Sequence, residues 1–493
     1  MGGAAIVLDN PILMKHVRSR LRGSQVVSWI VVVVVLSMCI TWAGFAIPGF
    51  DHSGALWALL GLQALTLAIG GSQQVAAAVG GARASGILDF HRVSPLPPSW
   101  VALGFFLGAP AREYLTAACT LPFAVLCAYL SPLGVLGLIA MEVPLLFAAW
   151  ILHALALLSS LVMRNPRGTT RGVPGLVLLI LFLNGASSAL FALRRAGVGL
   201  EDAHFFGVAV PWLVFLLLYQ VPLLVFLLVA GSRKMEAERA HAYSKPQAVA
   251  CLAIATTLIL GGFWDVKGAQ YLVVGLLYGL VTLGSLLLLT VTPDSAEYLK
   301  GVRRAVRLGG RRPGAWSDAG INRQVVIVLC AIVLVGATVA WEVIEGRPDL
   351  GRGHYSQTIA IGVLVVAYFG LALQFFELRA GRAGRTMMLL FLFLAWIVPL
   401  VVGVIGLAAL ENSNIAQAIL ALSPICGIAM SAGAAEAQVA DVARFAALIP
   451  ALGFTFVFNS LVVNTRRRID RAVQKASDRR AGDKVEPVAD PLA

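Results

Sequence analysis

GARASGILDFHRVSPLPPSWVALG, Gly81 to Gly104, is a polar interruption between two long apolar runs, and the nature of the chain turns on how it is read. Gly86 and the prolines Pro95, Pro97 and Pro98 bracket about two helical turns, Ile87 to Val93. A helix rises about 1.5 Å per residue and needs about 20 residues to cross a hydrocarbon core, so this piece is too short to be a span. The stretch predicts a short cytoplasmic helix wedged between two membrane spans. An element this short is marginal alone and needs a partner.

Working outward, the composition agrees. The chain has 493 residues, of which 59% are hydrophobic and only 13% charged, and its apolar runs repeatedly approach the length of a span. That predicts an all-α, polytopic membrane protein. The first run, Val26 to Ile47, exceeds a signal-peptide core and lacks a small-residue cleavage site, so it reads as a retained span. The six cysteines, Cys39, Cys119, Cys127, Cys251, Cys330 and Cys426, all lie in apolar runs without metal-ligand spacing and read as packing residues. The net charge of +13 comes from basic residues that punctuate the apolar runs, a membrane-topology pattern, and nucleic acid is not expected as a partner.

Taken in order, residues 1–24 form an N-terminal interfacial helix: Asn10 is its N-cap, Pro11 its first residue, and Gly23 can close it. Leu13, Val17 and Leu21 recur at four-residue spacing with Lys15, Arg18 and Arg22 turned away, which predicts an apolar stripe in the acyl boundary and cations toward lipid phosphates. Twelve spans follow, at 25–47, 55–80, 101–130, 133–163, 173–193, 205–231, 247–264, 271–292, 324–341, 358–376, 387–409 and 442–463. With the N-terminus in the cytoplasm, most of the 38 Lys and Arg fall in inside segments, above all Lys300 to Arg312 and the tail Arg466 to Lys484. A further crossing at Ile415 to Ala432 would carry the basic tail outside. Pro424 and Gly427 interrupt that run, so 415–440 reads as a re-entrant or outer-surface element. Pro293 to Asn322 carries Tyr298, Val302, Ala305 and Val306 among arginines and predicts a second surface helix. The organisation expected is a first half at 25–232 with the 81–104 loop, a connecting pair of spans at 233–293, a basic cytoplasmic loop at 294–323, a second half at 324–463 and a cytoplasmic tail at 464–493.

Two stretches carry a family resemblance. NPILMKHVRSRLRG, Asn10 to Gly23, resembles the entry helix of the permease subunits of type-2 ABC exporters, with His16 where many members have an acid. The opening stretch is similar to that family's coupling-helix loop at Gly86, Leu88, Asp89, Ser94, Pro95, Leu96 and Gly104; it departs at Ala82 and Ala84, which replace two acids, at His91 and Arg92, which replace apolar residues, and at Phe105, which replaces a lysine. The resemblance implies that Gly86, Leu88, Asp89, Phe90, His91, Arg92, Pro95 and Leu96 couple to a separate ATPase. On this reading Leu88 and Phe90 to Arg92 meet the ATPase surface, while Pro95 and Leu96 fix the turn into the third span. It also implies no cofactor on this chain, ATP and Mg on the ATPase, and a plasma-membrane location with both termini cytoplasmic. Either this chain alone or a pair with a second permease chain forms the pore.

The residues themselves exclude several chemistries. No Gly-x-x-x-x-Gly-Lys-Ser/Thr loop, HExxH pattern or Gly-x-Ser-x-Gly elbow occurs, so neither a nucleotide site, a metal site nor an enzyme is expected. Charges inside apolar runs are costly, at least about 2.5 kcal/mol on insertion scales, which singles out Arg112, Glu113, Glu142 and His153. The bland alternative has Arg112 and Glu113 opening the third span, with Val101 to Pro110 lying in the interface, and Glu142 and His153 satisfied between helices. Gln63, Asn184, Gln220, Gln374 and Asn459 read as interhelical hydrogen-bonding residues. The expected function is an ATP-driven export permease for a lipid, drug or other hydrophobic or polymeric compound. The rival is an ion-coupled secondary transporter, for which Glu142 alone speaks, and a membrane-embedded enzyme comes third.

Overall fold

Val26–Ala46 contains no charged residue, and in hydrocarbon such a segment can satisfy its backbone only by folding as a helix. The same logic repeats along the chain. A computed structural model describes residues 10–22, 24–162, 203–238, 240–264, 269–310, 312–345, 355–409, 413–431 and 437–482. Among them eleven helices are long and apolar enough to cross a membrane, or twelve if one bent pair counts as a span. The expected span at 173–193 and Asn184 lie outside the described residues. Two compact units divide the chain, Met1–Ala242 and Tyr243–Ala493.

The first unit contains α1 (Pro11–Arg20), α2 (Ser24–Ala46), α3 (His52–Ala84), α4 (Ile87–Val93), α5 (Pro98–Gly108), α6 (Ala111–Leu130) and α7 (Gly134–Val162). A small antiparallel hairpin, β1 (Ala203–Phe205) with β2 (Val208–Val210), precedes α8 (Trp212–Glu236). Its main core gathers Val75 and Val79 of α3, Leu88 of α4, Phe105 of α5, Leu157 of α7 and Leu224 of α8.

Asn10 caps α1 as expected, accepting from the N–H groups of Ile12 and Leu13, and its amide nitrogen donates to Trp100 O at 2.7 Å. The helix is shorter than expected, however: it ends at Arg20, where the Leu21 N–H closes on Val17 O, and does not run to Gly23. Its apolar side also differs. Ile12 and Leu13 are buried, Val17 is half-buried and Leu21 is exposed, with Lys15, Arg18 and Arg22 exposed as well. The reason lies in α5. A β-carbon at Gly104 would come within 2.7 Å of the Ile12 side chain, and one at Gly108 within 2.9 Å of His16, so Gly104-x-x-x-Gly108 lets α1 seat directly on α5. Protein, not acyl chain, covers the first turn.

The run expected as one span at 101–130 is two helices. The α5 helix stops at Gly108, Pro110 cannot donate to continue it, and α6 begins at Ala111. Arg112 and Glu113 thus stand in the first turn of the third span.

The second unit contains α9 (Lys245–Phe263), α10 (Ala269–Val291), α11 (Ser295–Arg307), α12 (Arg323–Glu345), α13 (Tyr355–Ala380), α14 (Gly384–Ala409), α15 (Ser413–Leu422), α16 (Pro424–Ser431) and α17 (Ala437–Gly482). The 247–292 pair of spans lies in this unit. The α9 helix opens on a full capping box between Ser244 and Gln247. The surface helix expected from Tyr298 and Val302 is α11, and both side chains are buried in a cluster with Ile321, Leu378, Val462 and Val473. At 415–440, α15 and α16 meet at a bend of 120°, whose Ser423 hydroxyl donates to Trp396 O at 2.6 Å. Residues 432–436 lie outside the description. The basic tail continues the last span as one helix, so Arg466 to Arg471 extend α17.

Candidate functional site

Two features of the first unit bring together most of the residues singled out in the sequence. The first is the α3–α4–α5 corner. Gly86 adopts φ +74°, a left-handed conformation that side chains resist, and it lets the chain reverse from α3 into α4. Leu88 is 1% exposed and anchors α4 in the core, with Leu96 packed against the same cluster. Arg92 also turns inward: Nη1 donates to Asp89 Oδ1 at 2.6 Å, Nε to Met235 O at 3.3 Å and Nη2 to Lys234 O at 3.4 Å. It therefore neutralises the carbonyl end of α8.

These placements correct the expectation that Leu88 and Arg92 face a partner. On a helix the outward face is set by spacing, and here Ile87, Phe90 and Val93 recur every third residue with exposures of 39%, 68% and 82%. Phe90 keeps its expected outward place. Pro95 is exposed and Asp89 is exposed beside Arg92.

His91 and His16 approach the ring of Phe105 from two helices, with centroids 6.4 and 4.8 Å from it. Burial, then Lys15, Arg20 and His91, pushes the His16 imidazole down to about 4, and burial with Lys15 lowers His91. Both are neutral at pH 7. Arg83, at the end of α3, pairs with Glu238 at 2.8 Å and reaches Ser160 O at 3.4 Å, so the ends of α3, α7 and α8 are drawn together.

The second feature is polar and lies within the spans. Residues Leu65–Gly71 of α3 form a π-helical turn, which loosens the regular backbone pairing and frees carbonyls. One of these, Leu67 O, bonds His153 Nε2 at 2.8 Å, and His153 Nδ1 lies 3.2 Å from the Tyr114 hydroxyl. His153 is thus held between α3 and α6. Glu113, 4% exposed, takes Arg112 Nη2 at 2.6 Å, and that guanidinium lies 5.6 Å from the centroid of the Trp29 ring. Gln63 donates to Thr120 Oγ1 at 2.6 Å, and Gln220 to Pro144 O at 3.1 Å. An open-sided cavity of about 580 Å³ adjoins them, lined by Gln63, Tyr114 and Glu142 among Leu67, Leu121 and Leu146. Oε1 of Gln63 and Oε1 of Glu142 are both buried without a hydrogen-bond partner.

Of the four ionisable residues singled out, Arg112 and His153 are satisfied, while Glu113 and Glu142 each keep one buried oxygen without a hydrogen-bond partner, that of Glu142 at the cavity wall. The π turn and Tyr114 were not foreseen from the sequence. Gly70-Gly71 inside an apolar run was the available signal, since a β-carbon at Gly71 would fall 2.1 Å from His153.

No family model matches the chain, and no curated protein or solved structure matches it either. What the fold and site define is a class: a polytopic helical membrane protein with eleven to twelve candidate spans, built as a transporter could be.

Proposed function

We propose that the chain is the permease subunit of an ATP-driven exporter, carrying a lipid, drug or other hydrophobic or polymeric compound across the plasma membrane with the work done by a separate ATPase. The observation that carries this reading is α4. Its Ile87, Phe90 and Val93 form an exposed apolar face, while Leu88, Arg92 and the Gly86 turn fix its back to the rest of the unit. A partner seated on that face would move the cap of α8 and the start of α5 directly. Because α5 leads through Pro110 into α6, the motion would reach Tyr114 at the cavity within two turns. ATP and Mg belong to the partner, and this chain contributes binding and movement.

The test is copurification. The tagged chain, extracted from its own cells, should carry a soluble ATPase with vanadate-sensitive ATP hydrolysis. Replacing both Phe90 and Val93 by Asp should leave the membrane chain folded, since both side chains are in solvent, and weaken the ATPase by at least about 30-fold, the loss of one aromatic hot spot of about 2 kcal/mol. Undiminished copurification would reject the coupling role. One observation favours a second reading, an ion-coupled transporter: Glu142 is a carboxyl with an unpaired oxygen on a cavity within the spans. Gradient-driven transport by the chain alone in liposomes, abolished by Glu142→Gln, would establish that alternative.

A further inference from the structure

The second unit also contains a basic cavity. It encloses about 320 Å³ and is lined by Arg312, Arg323 and Arg466 together with Tyr298, Gln324 and Ile327. The three arginines come from three places: the loop after α11, the first residue of the α12 span, and the polar extension of α17. Among the described residues a single carboxylate pairs with them. Asp470 accepts from the Tyr298 hydroxyl at 2.7 Å and from Arg312 Nε at 2.9 Å, and it lies 3.7 Å from Arg466 Nε.

That arrangement leaves binding capacity. Asp470 engages both arginines through Nε, so among the described residues the Nη pairs of Arg312 and Arg466 have no partner, and Arg323 has none either. The charge balance of the cavity wall is two positive. The other nearby carboxylates, Asp318 and Glu297, act on Lys245, whose ammonium is buried and donates to Ala315 O and Gly320 O. The same two bonds fasten the loop that carries Arg312. Tyr298 is 1% exposed, and burial beside Asp470 pushes its hydroxyl well above the usual tyrosine range, so it remains a neutral donor that fixes the carboxylate.

One forked guanidinium hydrogen-bonded through Nε (Arg312), a second within ion-pair reach of the same carboxylate (Arg466) and a third beside them (Arg323) match the oxygens of a phosphate. We infer that this cavity binds the phosphate of an anionic phospholipid headgroup. The lipid source follows from position. Arg323 opens a membrane-crossing helix, and one turn further on Ile327 lines the same cavity while 59% exposed, which offers an acyl chain its apolar path. A lipid bound there would tie the α11 loop, the α12 end and the α17 extension into one surface.

The experiment uses the purified full-length chain in detergent, titrated with dihexanoyl phosphatidylglycerol, dihexanoyl phosphatidylcholine and inorganic phosphate and followed by native mass spectrometry and thermal shift. Phosphatidylglycerol should bind tightest. Arg323→Gln, which breaks no ion pair, should weaken it about five-fold, and Arg323→Gln with Arg466→Gln about 30-fold, on the basis of about 1 kcal/mol per cation near an anionic lipid. Arg303→Gln, on the exposed side of α11, should change nothing. Equal binding of phosphatidylcholine, or unchanged phosphatidylglycerol binding in Arg323→Gln, would overturn the inference. Inorganic phosphate binding as tightly as phosphatidylglycerol would overturn the lipid source and leave a free-phosphate site. None of these readouts involves an ATPase, so the result is independent of the exporter proposal.

Discussion

Adding one methyl group at Gly71 should destabilise the first unit more than any surface change in it. A β-carbon there would sit 2.1 Å from His153 Nε2 and 2.8 Å from Cε1, whereas ordinary contact begins near 3.4 Å, so the imidazole must retreat by about 1.3 Å. His153 is fully buried and has nowhere to go without releasing Leu67 O, now 2.8 Å away, and the Tyr114 hydroxyl. Leaving a buried acceptor and an imidazole nitrogen unpaired costs about 1–3 kcal/mol each, against a gain of at most about 1 kcal/mol from the better helix propensity of alanine. The net loss is about 1–5 kcal/mol, or roughly 2–20 °C for a unit of this size. Gly61 supplies the control, because it lies on the same helix and a β-carbon there meets nothing within 4 Å. Purified Gly71→Ala and Gly61→Ala should therefore separate in a thermal unfolding assay, with only the first losing stability. Equal midpoints for the two variants would refute the argument that His153 is locked against the π turn.

Three other outcomes follow from the same structure. Leu88→Ala should cost about 2–4 kcal/mol by leaving a cavity in the core, whereas Phe90→Ala should be nearly neutral for folding, a difference that denaturation midpoints will show. His16 has a folded value near 4 against 6.5 in the unfolded chain; its neutral form therefore stabilises fully above about pH 6.5, and that contribution is lost as the pH falls toward 4. Lys15, Arg20, His91 and the Phe105 ring face it, and the unfolding midpoint should drop further between pH 7.5 and pH 5 in the wild type than in His16→Gln. Cysteines introduced at exposed positions of α11 and near Arg468 of α17 should resist an impermeant thiol reagent in intact cells; ready labelling of the α17 site would place the tail outside and make α15 with α16 a crossing.

Much of the fold was legible because hydrocarbon leaves the backbone few choices. Apolar length alone marks α2, α7 and α8, and Gly86 with the proline cluster marks both ends of α4 to the residue. The misreadings occurred where one apolar segment replaces lipid for another. By spacing alone Leu13 reads as lipid-facing, because a stripe of leucine and valine looks the same whether lipid or α5 covers it. The deciding feature, Gly104-x-x-x-Gly108, lies about ninety residues away. At Pro110 the sequence left two readings open, one span at 101–130 or a third span opening at Arg112 with Val101 to Pro110 in the interface, and the break between α5 and α6 matches the second.

The short helix α4 was legible in its location but not in its orientation. The short helix has seven residues, so any face of it is within one turn of any other, and sequence ranks Leu88 and Phe90 as equal candidates for outward contact. What separates them is the far end of α8. Arg92 can reach Lys234 O and Met235 O only if α4 is rotated with Leu88 inward, and that rotation delivers Ile87, Phe90 and Val93 to solvent together. Arg92, which stands where the resembling family has an apolar residue, is on this geometry an internal fastening. For the partner proposed above, recognition at α4 would rest on apolar area, with Asp89 as the helix's one carboxylate. If that ATPase complex forms, salt should weaken it little, whereas the loss of Phe90 should weaken it greatly.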